Sequence, residues 1–180
     1  MTSTDPRLKI FKPADLAAHP ALVHALVSLI NLTFSGREGF PTPRFFSDDE
    51  LIESLGGEGL CAVIFHDRDE PIATASLKPW GADTSETDFE ISAVAASPLY
   101  RGKGLADRCV KAVEQAAVKR GKEQGKKELK LWLRTVEHHN RAYWTKRGFT
   151  EVETRRGPAG MWGAERDFVL LTMMRPAERI

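Results

Sequence analysis

Residues 97–108 read SPLYRGKGLADR, from Ser97 to Arg108. Before them, Phe89–Ala96 (FEISAVAA) has the length and composition of a strand. After them, Leu105, Cys109, Val113 and Ala116 recur at helical spacing, which predicts a helix over Gly104–Arg120. The stretch is therefore a glycine turn that carries a strand into a helix. The first N–H groups of such a helix have no partner within it, and its dipole adds positive potential there. Glycine lets a ligand approach the backbone closely, so an anion is the natural guest. Arg101 and Lys103 would add charge-assisted contacts. The common nucleotide loops do not fit. A P-loop needs Lys and then Ser or Thr after its last glycine, and Gly104 is followed by Leu105. A dinucleotide loop needs Gly or Ala three residues past Gly104, where Asp107 stands. Taken alone, the turn reads equally well as a surface turn with cations.

Working outward, Arg7–Lys12 is a short strand stopped by Pro13, and Pro20–Phe34 carries Leu22, Leu26, Leu29, Ile30 and Phe34 on a helical stripe. Residues 35–46 (SGREGFPTPRFF) form a loop unusually rich in aromatics. Ser47-Asp48-Asp49-Glu50 has the capping-box pattern of a helix reaching Leu55. Cys61–His66 and Pro71–Trp80 read as a hairpin about Asp67–Glu70, and residues 81–88 (GADTSETD) as a polar loop. Glu128–Val136 alternates as a strand. His139–Arg147 is a short helix ended by Gly148. Phe149–Arg155 and Asp167–Met174 are two last strands around the loop 156–165 (RGPAGMWGAE). Hairpins followed by β-α-β crossovers predict one α/β domain with a mixed sheet over 1–180, its folded core spanning roughly 8–175.

Composition narrows the function classes. Apolar residues make up 42% of the 180, charged residues 28%, and the net charge is +1, so no global field selects a nucleic acid or an acidic membrane. The cationic run Lys119–Lys130 lacks interleaved aromatics and reads as a solvated helix end. No apolar stretch approaches the ~20 residues that span a bilayer. The polar first residues lack a signal-peptide core, which points to the cytoplasm, with the nucleus also open. Cys61 and Cys109 read as buried thiols of a reducing compartment. His138 and His139 lack companions at zinc-ligand spacing, so no metal is expected.

Two segments together resemble the GNAT superfamily of N-acetyltransferases. The first is ISAVAASPLYRGKGLA, with the family's R/Q-x-x-G-x-G/A at Arg101, Gly104 and Ala106. The second is LKLWLRTVEHHNRAYWTKRGF, with a strand, Asn140, a short helix with aromatics, and Gly148-Phe149. The element order from Leu8 to Met174 also fits. The resemblance implies a mixed, mostly antiparallel sheet flanked by about four helices, with central strands splayed around acetyl-CoA. It places the pyrophosphate on Arg101, Gly102, Lys103, Gly104, Leu105 and Ala106, and the pantetheine arm along Val94, Ala95 and Ala96. Asn140 and Trp144 would also touch the cofactor. Strand alternation puts Glu90, Ser92, Val94 and Ala96 on one face unless a bulge intervenes.

In the family an amine attacks the thioester directly. Glu90 is the candidate base, with Asp88 a weaker one, and an amide near Ala95 or Ala96 the oxyanion donor. The family's acid is often a tyrosine four residues before the Gly148 position. Here that residue is Trp144, with Tyr143 beside it, so either Tyr143 or no side chain protonates the sulfur. The acceptor is expected to be a small primary amine held by Phe40, Phe45, Trp80 and Trp162, with the acidic loop Asp83–Asp88 as a further wall. Aromatics near carboxylates suit a cationic amine with an apolar body. A peptide acceptor, or CoA binding without turnover, are the alternatives, and the oligomeric state, a homodimer included, is left open.

Overall fold

The structure, a computed structural model, describes residues 6–66, 69–81 and 88–177. Parts of the predicted hairpin turn and all of the acidic loop before Asp88 lie outside these residues. The chain runs β1 (Arg7–Phe11), α1 (Pro13–Ala17), α2 (Pro20–Phe34), α3 (Asp48–Leu55), β2 (Leu60–Phe65), β3 (Pro71–Pro79) and β4 (Phe89–Ala96). After a short 3₁₀ turn at Pro98–Tyr100 come α4 (Leu105–Glu123), β5 (Lys130–Val136), α5 (Glu137–Thr145), β6 (Thr150–Gly157) and β7 (Phe168–Pro176). The strands form one sheet in the order β1-β2-β3-β4-β5-β7-β6. The β4–β5 pair is parallel and its neighbours are antiparallel, as expected of the family's mixed sheet.

Each face of the sheet has its own core. Helix α4 lays Leu105, Cys109, Val113 and Ala117 on Ala73, Ala75, Leu77 and Ile91 of the sheet. On the other face, Leu16, Leu26, Ile30, Leu51 and Leu55 from α1–α3 cover Cys61, Val63 and Phe65. Burying each of the Leu, Ile, Val and Phe side chains among these contributes roughly 1.5–3 kcal/mol. Both faces of β2 and most of β3 are covered, which explains their continuous apolar runs. The edge strand β6 is exposed along nearly its whole length and carries Glu151, Glu153, Arg155 and Arg156, charges that discourage further pairing.

Helix α1 is missing from the sequence reading because five residues are too few to show a period. Helix α4 runs three residues further than predicted, and Arg120 and Lys122 occupy its last turn, where cations favour the dipole. The basic run is thus largely a helix end and the turn at Gly125.

Candidate active site

The sheet parts at one place. β4 and β5 pair at Phe89↔Leu131 and Glu90↔Trp132, and no further, although both strands continue to Ala96 and Val136. Below the parting, Asp88 accepts hydrogen bonds from Lys130 N (3.0 Å) and Trp132 Nε1 (3.0 Å). At its vertex, Glu90 is 5% exposed and holds both neighbouring strands. Its Oε1 and Oε2 accept from Arg134 Nε (3.1 Å) and Arg134 Nη2 (2.8 Å) on β5. Lys78 Nζ on β3, directly opposite in register, lies 3.4 Å from Oε2. The Glu90 hydrogen bond, outweighing burial, holds the Arg134 guanidinium above its ordinary value.

Above the vertex β4 bulges. Thr74 pairs with Ala95 and Ser76 with Ser92, so Ala93 and Val94 together oppose Ala75. Ala93 takes φ +48°, an uncommon region for a residue with a Cβ. The bulge reverses the alternation. Ala93 and Ala95 pack on the α2 side, while Val94 and Ala96 pack on the α4 side with Ile91. The face expected to unite Glu90 with Val94 and Ala96 is therefore split, because one extra residue in a period-two strand exchanges its faces.

The parted strands open a cleft of about 570 Å³, within the usual range for small-ligand sites. Val94, Ala95 and Ala96 line it, and it ends on Arg101, Gly102, Gly104, Leu105 and Ala106. Gly102 (φ +76°) and Gly104 (φ +69°) both need left-handed backbone, and Gly104 caps α4 without a side chain. Among the described residues, the N–H groups of Gly102 through Asp107 donate no backbone hydrogen bond. Lys103 points elsewhere: its Nζ sits 5.2 Å over the Tyr100 ring, and it does not line the cleft. Arg37, unremarked in the sequence, joins this end. It donates to Thr33 O (3.0 Å) and to Asn140 Oδ1 (3.2 Å). Burial, and then nearby Arg101, hold the Arg37 guanidinium below its ordinary value.

Tyr143 and Trp144 both line the cleft, but each is otherwise engaged. The Tyr143 hydroxyl donates to Asp107 Oδ1 (2.7 Å), and burial followed by that contact raises its pKa. Arg147 forks the same carboxylate, Nε to Oδ1 at 2.7 Å and Nη2 to Oδ2 at 2.6 Å, and this holds Asp107 below the usual carboxylate range. Trp144 is buried in the core, edge-on to Phe149.

The cleft continues past Glu90, away from the glycine turn. Of the aromatics assigned in the sequence to an acceptor, Phe40 and Trp162 line the cleft, and Phe45 and Trp80 do not. Trp80 stacks flat on Trp132 (4.7 Å, 5°). That pairing needs β3 and β5 flanking β4, which no local pattern reveals. Phe45 is turned away by Asn31, whose Oδ1 accepts from Arg44 N (2.9 Å) and Phe45 N (3.0 Å) while its Nδ2 donates to Phe45 O (2.8 Å). With this clamp Phe45 enters the α1–α3 core, and Arg44 lines the cleft in its place. The Arg44 guanidinium lies over Trp162 (4.7 Å) and Phe34 (5.0 Å). Burial pushes its pKa down to about 10; Glu90 acts in the opposite sense and Arg134 in the same one.

Loops 35–46 and 158–166 meet over this end. Glu165 N donates to Gly39 O (3.0 Å) and Thr42 Oγ1 to Gly163 O (3.1 Å). Trp162 itself has φ +54°.

Solved structures share this fold along nearly the whole chain. The ribosomal-protein-S18-alanine N-acetyltransferase from Escherichia coli superposes with a TM-score of 0.68 at 16% identity, covering 98% of this chain and 96% of its own. An acyl-CoA N-acyltransferase from Pseudomonas aeruginosa gives 0.63 at 20% identity, covering 95% and 99%. An aminoglycoside 6'-N-acetyltransferase complexed with coenzyme A gives 0.63 at 16%, covering 97% and 98%. No curated protein matches the sequence significantly. A family model described as "Acetyltransferase (GNAT) family" matches residues 23–149, from the second helix to the phenylalanine after Gly148. With most of its length matched and its sheet parted between β4 and β5, the chain belongs to the GNAT family of acetyltransferases.

Proposed function

We propose that this protein transfers the acetyl group of acetyl-CoA to the nitrogen of a small primary amine. The observation that carries the reading is the parted β4–β5 pair, which runs straight onto a turn of unpartnered amides. Acetyl-CoA supplies a thioester whose acetyl passes to an unprotonated amine, the sulfur leaving as thiolate. The amides of Gly102 through Ala106, with Arg101 and Arg37, suit a pyrophosphate. Backbone of Val94–Ala96 that faces the missing ladder suits the amides of the pantetheine arm. An N–H near Ala95 or Ala96 would stabilise charge developing on the carbonyl oxygen.

Glu90 is the carboxylate at the vertex. A carboxylate has about four acceptor positions, and Arg134 and Lys78 use three. The fourth can take the amine's proton through a water. The Tyr143 hydroxyl is committed as a hydrogen-bond donor to Asp107, so in this arrangement it braces α5 against α4. A thiolate whose parent pKa is near 8.5 leaves without an acid. The meeting of loops 35–46 and 158–166 narrows the acceptor end, which favours a small amine over a polypeptide.

The test uses the purified full chain. Calorimetry with CoA is expected to give saturable one-site binding. Acetyl-CoA with a panel of amines, amino acids and polyamines is expected to release CoA with at least one member. Mass spectrometry of a peptide mixture treated in parallel addresses the polypeptide acceptor. Absence of CoA binding refutes the reading.

A further inference from the structure

Arg44 takes no part in the transfer described above, and its surroundings are unusual for a cation. Ring faces surround it: Trp162, Phe34 and, at 5.8 Å, Phe45. As a whole residue it is partly exposed, but its Nε is sealed from solvent and has no hydrogen-bond partner. Among the described residues no carboxylate pairs with it. Glu90, the carboxylate whose charge reaches it, already sits in the Arg134 fork with Lys78 alongside. Three cations therefore converge on one carboxylate. A sheltered cation without a counter-ion is costly, and a ligand anion would relieve that cost.

We propose that the acceptor is an amine that also carries a carboxylate, and that Arg44 receives this carboxylate. The inference rests on the acetyltransferase reading above and narrows its substrate class. A guanidinium presents parallel N–H groups that match a planar carboxylate, and Arg44 lines the cleft from which a ligand would approach. The amine must face Glu90 and the Ala93 bulge while the carboxylate meets Arg44. Both groups then belong to one compact molecule with an apolar body against Phe40 and Trp162, an amino acid in form. Arg44 over Trp162 and, at 5.6 Å, Arg134 over Trp80 already take ring faces that a cationic amine would otherwise use.

The experiment compares phenylalanine, phenylalanine amide and phenylethylamine, and likewise leucine and 3-methylbutylamine, as acceptors for the full chain. CoA release is followed, and binding of each probe to the CoA-loaded protein is measured by calorimetry. The carboxylate-bearing probes are expected to be preferred roughly 10- to 100-fold, the size of a charge-assisted hydrogen-bonding pair. Arg44→Met is expected to abolish that preference while leaving CoA binding unchanged, and Arg44→Lys to restore part of it. Equal or better use of the amide or the plain amine overturns the proposal, as does a preference that survives Arg44→Met. If CoA binds and no probe is turned over, calorimetry decides. Tighter binding of phenylalanine than phenylethylamine, lost in Arg44→Met, supports the proposal; equal or absent binding of the two overturns it. Failure of the wild-type chain to bind CoA is a different result, and it removes the acetyltransferase reading along with the proposal. Should Arg44→Met fail to fold, the wild-type comparison and Arg44→Lys still decide.

Discussion

Glu90→Gln tests whether the vertex of the parted sheet is an electrostatic clasp. The substitution keeps the shape and removes the charge that faces Arg134 and Lys78. Three contacts weaken together, at 3.1, 2.8 and 3.4 Å. Breaking a fully buried pair costs roughly 3–5 kcal/mol. Here the side chains of Arg134 and Lys78 are 32% and 26% exposed, so water takes up part of the unpaired charge. The expected loss is about 1.5–3 kcal/mol. For a domain of this size that lowers the melting temperature by about 3–12 °C. Thermal and urea denaturation at pH 7 measure it. Adding Arg134→Met removes one stranded cation, so the double variant is expected to lose less than the sum of the singles, with a coupling of about 1–3 kcal/mol. A shift under about 1 °C, or strictly additive losses, would refute the clasp. The pH profile separates the catalytic role. If Glu90 removes the amine's proton, Glu90→Gln lowers kcat/KM at neutral pH and recovers above the amine's own pKa, where no base is needed. An unchanged profile would leave Glu90 as a clasp alone.

Gly104→Ala puts a Cβ at φ +69°, costing about 1–2 kcal/mol of backbone strain although the Cβ itself meets open space, and relief of that strain shifts the turn's free amides. CoA affinity is expected to fall about tenfold by calorimetry. Gly163→Ala would drive a Cβ into the Thr42 carbonyl, so the turn bearing Trp162 must move. The acceptor KM is expected to rise several-fold while CoA binding by calorimetry stays within a factor of two. His139, edge-on to Phe40, is held below its ordinary pKa of 6.5 by burial first, and then by His138 and Arg37, against the opposing Glu38 carbonyl. A base with a lowered folded pKa stabilises the fold fully above about pH 6.5, and the contribution is lost as pH falls from there through the lowered value. Wild type should therefore lose more melting temperature between pH 7.5 and 5.5 than His139→Gln does; equal losses would contradict the assignment.

Much of this was readable in the chain because the deciding features are local. A strand, a glycine turn and a helix follow one another within Phe89–Glu123, so the anion-binding geometry comes from contiguous residues and their backbone preferences. The second segment, from Leu129 to Phe149, likewise carries its own strand, helix and stop. Together they were sufficient for the family and for most of the residues lining the cleft at the glycine turn. The opposite end of the cleft was not legible, because it is built from residues far apart in sequence. Arg44 and Phe45 are neighbours with similar local prospects, and Asn31, 13 positions before Arg44, decides which of them lines the cleft. Trp80 was expected there because nothing in its surroundings announces Trp132 as a stacking partner. The bulge at Ala93 has no glycine to mark it, and the pairing with β3 alone exposes it. What the sequence determined by itself was periodicity, capping and turn chemistry, hence the order of elements and the phosphate-type turn. What only the tertiary structure decided was which side chains meet across the parted strands, because hydrogen-bond clamps, ring stacking and charge pairing act through space and leave no spacing to read.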